Sequence, residues 1–277
     1  MIIEAMQIVF NLTALILSAP EANSDALPLS IHYQVPRTVG RNGWLVVDKD
    51  VEWKASETAI IVVDMWNKHW SWGATERVNI MAPRMNLVVK SARVKGVTII
   101  HAPSDTMDFY KYHPARLNAT SAPAVTPPEP KPHDDPPQPV DASDGGSDTG
   151  EPNSYKAWHR QHPAIEIEDK DYISDNGQEV FNVLSQKGIK NIIIMGVHTN
   201  MCVLGRSFAI KAMVRWGFNV VLARDLTDAM YNPYKPPYVS HEDGTRLIIE
   251  YIEKFWCPTI LSSDLTTPMP AILSEEK

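Results

Sequence analysis

The sequence predicts an α/β fold with three layers, in which helices cover both faces of a mostly parallel central sheet. Short aliphatic and β-branched runs, such as TAIIVVDM at 58–65 and NIIIMGV at 191–197, are typical of strands buried on both faces. Segments with helical spacing of apolar residues alternate with these runs. This alternation favours parallel strands that are joined by crossover helices.

The predicted elements follow one another in a regular order. An N-terminal extension, residues 25–54, is expected to hold a strand pair that includes WLVVDKDVEW at 44–53, interpreted as a strand with a charged turn. Further strands are expected at 58–65, 97–103, 191–197, 219–226 and 258–265. Helices are expected at 77–96, 177–188, 202–217 and 241–256. Residues 55–277 then form one domain with a single interruption.

The interruption lies between about residues 111 and 162, where the alternation stops. Its sequence includes APAVTPPEPKPHDDPPQPVDASDGGSDTGEPNS, which is rich in Pro, Asp, Gly and Ser. Such a composition cannot bury a core of its own. Long loops of this kind in compact domains are lids, binding loops or disordered segments. We therefore expect a long Pro-rich insertion.

The overall composition limits the classes of partner. The formal net charge is −7, which argues against nonspecific binding to nucleic acid or to an anionic membrane surface. Two cysteines, Cys202 and Cys257, are too few for a disulfide framework. We expect a small-molecule ligand, with neither nucleic acid nor membrane as a partner.

The first residues, 1–24, have the outline of a cleaved signal peptide. MQIVFNLTALILSA is apolar over about a dozen positions, too few for a membrane span, and ends in small residues. The preceding residues contain Glu4 but no Lys or Arg. The leader predicts export to the periplasm or outside the cell. The alternative is an ordinary N-terminal segment on a cytoplasmic protein.

Three polar residues fall at or near the ends of predicted strands, where open parallel sheets bind ligands. Asp64 closes the strand TAIIVVD, Lys170 lies in IEIEDKDYIS, and Cys202 follows NIIIMGVHTNM and opens a helix. A helix N-terminus and a neighbouring lysine both favour the thiolate form of a cysteine. A nearby aspartate can take the thiol proton and later pass it to a leaving group. Together they predict nucleophilic catalysis by Cys202.

These residues stand in four stretches that resemble the isochorismatase-like cysteine hydrolases, a family that includes nicotinamidases and N-carbamoylsarcosine amidases. The stretches are IIVVDMWN with Asp64, KDYIS with Lys170 and Ser174, GVHTNMCV with Cys202, and DLTDAMY with Asp228, Ala229 and the later His241. The resemblance covers about residues 55–265 and is interrupted by the insertion.

The resemblance implies a site as well as a fold. It implies a catalytic triad of Asp64, Lys170 and Cys202 and a thioester acyl-enzyme. It also implies a cis peptide between Val197 and His198, and an oxyanion hole formed by the N–H groups of His198 and Cys202. Lys111 is a second choice for the lysine, because Asp-Asn follows Ser174 where the family has Ala-Phe.

The segment DMWNKHWSWG is a candidate rim of the substrate pocket, or else its tryptophans belong to the core. Trp66 stands where the family often has Gln, and His198 replaces a small residue. Candidate pocket residues are Trp66, His69, Trp70 and Tyr231. The nicotinamidase branch binds a metal through an Asp-x-His pair and a later His. Here HAPSDTMDFYKYHP offers only Asp105 and His113 as candidate metal ligands, so no cofactor is required, although a divalent metal remains an alternative.

The predicted function is hydrolysis of a small-molecule amide or a related C–N bond. Two alternatives stay open: hydrolysis of a non-amide substrate, as in the branch that gives the family its name, and a non-catalytic binding protein on the same scaffold. The resemblance also implies a homo-oligomer.

Overall fold

The computed structural model describes residues 25–38, 42–152 and 155–266. The predicted leader, residues 1–24, lies outside these ranges. Among the helices of the described ranges, none is both long and apolar enough to cross a membrane.

One mixed sheet of eight strands runs through the protein, in the spatial order β2-β1-β8-β7-β6-β3-β4-β5. The strands are β1 (Ala26–Pro36), β2 (Trp44–Lys54), β3 (Thr58–Val63), β4 (Thr98–Ala102), β5 (Tyr172–Ile173), β6 (Asn191–Val197), β7 (Asn219–Asp228) and β8 (Thr259–Ile260). Strands β3 to β8 pair in parallel, whereas β1 is antiparallel to both β2 and β8.

Helices cover both faces of this sheet. They are α1 (Trp72–Val94), α2 (Met107–Tyr110), α3 (Pro114–Thr120), α4 (Gly177–Gln186), α5 (Cys202–Gly205), α6 (Ile210–Trp216) and α7 (His241–Phe255). Short 3₁₀ helices occupy Ala55–Glu57 and Ser262–Asp264.

The two faces of β3 belong to two different hydrophobic cores. Ile61 packs with residues of α4, α6 and α7, whereas Ile60 and Val62 pack with residues of α1. Every residue of β3 is buried, because alternate side chains point into opposite layers. The predicted three-layer α/β fold is therefore confirmed.

The structure differs from the prediction in some elements. Strand β2 runs unbroken through its predicted charged turn and pairs with β1 along its whole length. Charged side chains such as Asp48 are tolerated there because β2 is an edge strand. The predicted last strand shortens to β8. The predicted helix 202–217 divides into α5 and α6, and Arg206 between them has extended backbone angles.

Gly196 allows β6 to approach β3 closely at the end of the sheet that carries Asp64 and Cys202. Its φ is +127°, and a Cβ built on it would lie 2.0 Å from the carbonyl oxygen of Val63. We expect Gly196→Ala to lower the free energy of unfolding by about 3 kcal/mol, since it adds both overpacking and backbone strain. Thermal denaturation measures this change. Gly205→Ala is the control, because an added Cβ there meets nothing within 4 Å, and equal losses in both variants would contradict the expectation.

The insertion contains no named helix or strand among the described residues between Thr120 and Tyr172. It starts later than predicted, since α3 lies inside the range 111–162. It follows the protein surface and is fixed to the core at several points. His133 stacks on Trp256 with ring centroids 4.2 Å apart, and the Asp135 carboxylate lies 2.7 Å from Lys211 Nζ.

The later part of the insertion lies beside the carboxyl ends of the central strands. Gln138 Nε2 donates a hydrogen bond of 3.0 Å to the carbonyl oxygen of Asn200, in the turn before Cys202. Gly146 lies against the backbone of Met230, where an added Cβ would be 2.4 Å from the carbonyl oxygen. The insertion is therefore positioned to contribute to a site at this edge of the sheet.

Candidate active site

Asp64 follows directly after β3 and is fully buried. Its φ of +48° is uncommon for a residue other than glycine. The backbone N–H of Ser104 donates a hydrogen bond of 2.7 Å to Asp64 Oδ1, and Arg206 Nε donates one of 3.1 Å to Oδ2. The carboxylate is therefore oriented from two sides.

Cys202 lies in the turn that follows β6 and begins the short helix α5. The peptide bond between Val197 and His198 in this turn is cis. The thiol forms a hydrogen bond with the Asp64 side chain, and the backbone of His198 also forms a hydrogen bond with the sulfur. The predicted pair of acid and nucleophile is thus brought into direct contact.

The pKa of the Cys202 thiol is raised to about 12, mainly by burial and secondly by the negative charge of Asp64. We expected a lowered pKa on the basis of a helix N-terminus and a lysine. That expectation fails because α5 is only four residues long and because the nearest charge is an anion. Burial also raises the pKa of Asp64, and Arg206 opposes this rise. The thiol is therefore protonated at neutral pH.

Lys170 is not part of this group. Its side chain is 67% exposed, and its Nζ lies 3.1 Å from a carboxylate oxygen of Glu168. The neighbouring residue Asp171 is the one that points inwards, where it pairs with Arg93. Both residues precede β5, in a turn, and the structure does not bring Lys170 to Asp64 and Cys202. Lys111, the second choice, contacts the ring of Tyr112.

Arg206 provides the positive charge beside Asp64. Arg206 was not among the residues predicted from the sequence. It follows Cys202 by four residues, a spacing that places two side chains on one face of a helix. This spacing is the signal that was available. The helix then ends at Gly205, and the extended backbone of Arg206 leaves its guanidinium beside Asp64. Arg206 also lies 3.8 Å from Asp105.

A cavity of about 190 Å³ opens beside Cys202 and Arg206. Its walls are mainly aromatic side chains and methionines: Trp66, His69, Trp70, Trp158, His198, Met201 and Met230, with Gly145. This volume is below the range of about 300–1,000 Å³ that is common for drug-sized ligands. The cavity therefore suits a small molecule.

Three of the four predicted pocket residues, Trp66, His69 and Trp70, line this cavity. Tyr231 does not, since it is fully buried in the core and its hydroxyl donates a hydrogen bond to the carbonyl oxygen of Lys235. Burial lowers the pKa of His69 to about 4, so its imidazole is neutral at pH 7.

Trp158 is a wall residue that the sequence analysis did not identify. It belongs to the insertion and stacks on Trp66 with centroids 4.2 Å apart and ring planes at 17°. It is also parallel to His69, at 5.5 Å and 4°. No periodic pattern surrounds Trp158 in the sequence, so only the course of the insertion places it here.

The two candidate metal ligands, Asp105 and His113, have different partners. Asp105 is 56% exposed beside Arg206, and His113 Nδ1 accepts a hydrogen bond from the backbone N–H of Ala115 at the start of α3. Within residues 25–38, 42–152 and 155–266, no group of three or more His, Cys, Asp or Glu side chains is arranged to hold a metal ion.

The Asp228 and His241 motif residues form a network behind the cavity. His241 Nε2 lies 2.9 Å from Asp228 Oδ1, and Arg77 Nε donates a hydrogen bond of 2.8 Å to Asp228 Oδ2. Arg77 also donates two hydrogen bonds to Asp148 of the insertion, at 2.7 and 3.1 Å. These residues fasten the insertion to β7 and α7 and do not contact Cys202.

Comparison with protein families matches the Isochorismatase domain to residues 58–235. Among solved structures, a cysteine hydrolase from Pseudomonas syringae pv. phaseolicola 1448A is 18% identical with a TM-score of 0.48, covering 76% of this chain and 92% of that one. An isochorismatase family protein from Burkholderia thailandensis is 17% identical with a TM-score of 0.42, and the match covers 76% of this chain and 93% of that one. PnC1 from L. infantum, solved in complex with nicotinate, is 14% identical with a TM-score of 0.42, and the match covers 76% of this chain and 96% of that one. Comparison with curated proteins gave no match.

Proposed function

Because the chain belongs to the isochorismatase family and is a hydrolase, we propose that it is a cysteine hydrolase that cleaves the C–N bond of a small amide. One observation carries the proposal: the buried Asp64 carboxylate contacts both the Cys202 thiol and the Arg206 guanidinium beside a small aromatic cavity. This is the arrangement of a nucleophile, its proton acceptor and a charge that orients the acceptor.

The first half of the reaction forms a thioester. Asp64 accepts the proton of Cys202 as the sulfur attacks the carbonyl carbon of the amide. The backbone N–H groups of His198 and Cys202 are the proposed donors to the oxygen that becomes negative. Asp64 then gives its proton to the amide nitrogen, the C–N bond breaks, and the amine leaves.

The second half of the reaction releases the acid. Asp64 takes a proton from a water molecule, whose oxygen attacks the thioester carbonyl. The C–S bond breaks, the carboxylic acid leaves, and the sulfur recovers the proton from Asp64. Arg206 stays protonated throughout, since the pKa of a guanidinium is far above neutral pH and is raised further here by Asp64.

A high thiol pKa is compatible with this role. A free thiolate is not required at rest, because Asp64 already accepts a hydrogen bond from the thiol and receives its proton during attack. Transfer of the proton inside the pair changes no net charge, so the buried site gains no uncompensated ion.

The cavity favours an uncharged substrate. His69 and His198 are neutral because burial lowers both pKa values, and the charge of Arg206 is balanced by Asp64. A substrate carboxylate or ammonium would lose its hydration and find no unpaired opposite charge among the lining residues.

Trapping of an acyl-enzyme tests this proposal. We expect intact-protein mass spectrometry, after rapid acid quench with small primary amides, to reveal an added acyl mass on Cys202. Cys257→Ala is the control, since Cys257 is buried, and burial raises the pKa of its thiol; this variant is expected to retain the adduct. Substrate turnover by Cys202→Ala at the parent rate would exclude the thioester route. If no amide reacts although the compounds bind, the non-catalytic alternative is favoured.

A further inference from the structure

Two buried polar atoms in the cavity lining have no hydrogen-bond partner among the described residues: Trp158 Nε1 and His198 Nε2. In folded proteins such atoms are nearly always bonded, and an unbonded one costs about 1–3 kcal/mol. The proposed reaction uses the backbone of His198 but neither its ring nor Trp158. Neither atom therefore has a partner or an assigned role in that reaction.

The Trp158 ring is held in position by stacking, and its indole N–H group makes no contribution to this stacking. Trp66 stacks on it at 4.2 Å and His69 lies parallel at 5.5 Å. The indole N–H of Trp66, by contrast, donates a hydrogen bond of 3.0 Å to the carbonyl oxygen of Ser104. Of these two stacked indoles, Trp158 is the one whose donor is unused.

The His198 ring is 2% exposed and contacts His69 edge-on, with centroids 4.9 Å apart. Burial, together with the positive charge of nearby groups, holds the pKa of His198 well below its usual value, so the ring is neutral. A neutral imidazole nitrogen either donates or accepts a hydrogen bond. His69 is already engaged, because its Nδ1 accepts a hydrogen bond of 3.1 Å from the backbone N–H of Ser71.

We propose that Trp158 Nε1–H, together with the ring nitrogen of His198, binds a hydrogen-bond acceptor on the non-reacting part of the substrate and thereby determines specificity. This rests on the proposed amide hydrolysis at Cys202. The substrate class is then a small, uncharged amide whose planar body carries an acceptor of its own. The aromatic walls stack on that body, and the insertion supplies the donor that identifies it.

The expected selectivity follows from the cost of an unused donor. A site built to hydrogen-bond a substrate group discriminates against an analogue that lacks the group, because the buried donor is then left unpaired. One such bond is expected to change affinity by about tenfold.

Binding to the Cys202→Ser variant tests the proposal without requiring turnover. The probes are benzamide and the three pyridinecarboxamides, which have the same shape but differ in the presence and position of a ring acceptor. We expect at least one pyridinecarboxamide to bind about tenfold more tightly than benzamide by calorimetry. Adding Trp158→Phe, which keeps an aromatic ring but removes the N–H, is expected to abolish this preference.

Trp44→Phe in the same background is the matched control, since Trp44 packs against Phe255 and does not line the cavity. It is expected to leave the preference intact. Unchanged benzamide affinity in Trp158→Phe verifies that its cavity has formed. Equal binding of all four compounds, or a preference that survives Trp158→Phe, would overturn the proposal. A preserved preference without an acyl-enzyme in the parent would instead refute amide hydrolysis.

Discussion

Asp64→Asn is expected to abolish turnover while making the Cys202 thiol more acidic. The amide side chain cannot accept the thiol proton, and loss of a general base that also acts as the acid is expected to lower kcat by at least about 10³-fold. The negative charge of Asp64 raises the pKa of Cys202, so removing that charge lowers it. The Asp64→Asn variant would thus lose activity although a larger fraction of its Cys202 is thiolate.

Two measurements on the same protein check this pair of opposite effects. Steady-state hydrolysis of an amide that the parent turns over gives kcat, and the rate of Cys202 alkylation by iodoacetamide against pH gives the thiol pKa. Asp105→Asn is the matched control, because it makes the same chemical change on an exposed residue beside Arg206. Retention of a tenth of the activity, or a less acidic thiol in Asp64→Asn, contradicts the role given to Asp64.

Arg206→Met is expected to lower kcat/KM by about 10²-fold and to move the acid limb of its pH profile to higher pH. Arg206 lowers the pKa of Asp64, so its loss raises that pKa and keeps the base protonated over a wider acid range. The buried Asp64 carboxylate also loses its ion pair, so we expect the free energy of unfolding to fall by about 2 kcal/mol. This value is smaller than for a fully buried ion pair because the Arg206 side chain is 34% exposed.

Arg206→Lys and Lys170→Met complete this series. Lysine keeps the charge but not the planar fork of the guanidinium, so partial activity, about tenfold below the parent, is expected. Lys170→Met removes the same charge from a side chain that is 67% exposed and should stay within twofold of the parent. Normal activity in Arg206→Met with loss in Lys170→Met would restore the triad that the resemblance implied. The pH profiles and kcat/KM values decide between the two assignments.

The sequence was sufficient to select the candidate residues that follow long buried strands. Asp64 and Cys202 were selected because β3 and β6 are continuous apolar runs, and residues at or near the ends of such runs meet at one edge of a parallel sheet. Lys170 was harder to place because it lies in a turn before β5, which has only two residues. A turn followed by so short a strand has no periodic pattern from which to choose between Lys170 and its neighbour Asp171.

Arg206 and Trp158 depend on contacts that local patterns do not encode. The break between α5 and α6 was hidden by helical spacing that continues through Gly205, so the direction of the Arg206 side chain could not be deduced. Trp158 reaches Trp66 only through the path of a long segment without periodicity. The general class of the candidate site was therefore accessible from the sequence, whereas Arg206 and the wall residue Trp158 were not.

The attachment points of the insertion divide one long excursion into several short loops. His133, Gln138 and Asp148 are each bound to a different part of the core, so the chain between them is constrained at both ends. Doubling the length of a flexible loop costs only about 0.6 kcal/mol of closure free energy. Residues added between two attachment points should therefore be tolerated, whereas a shift of an attachment point should displace the wall of the cavity. The insertion thus consists of segments that can vary in length and of attachment positions that keep the cavity wall in place.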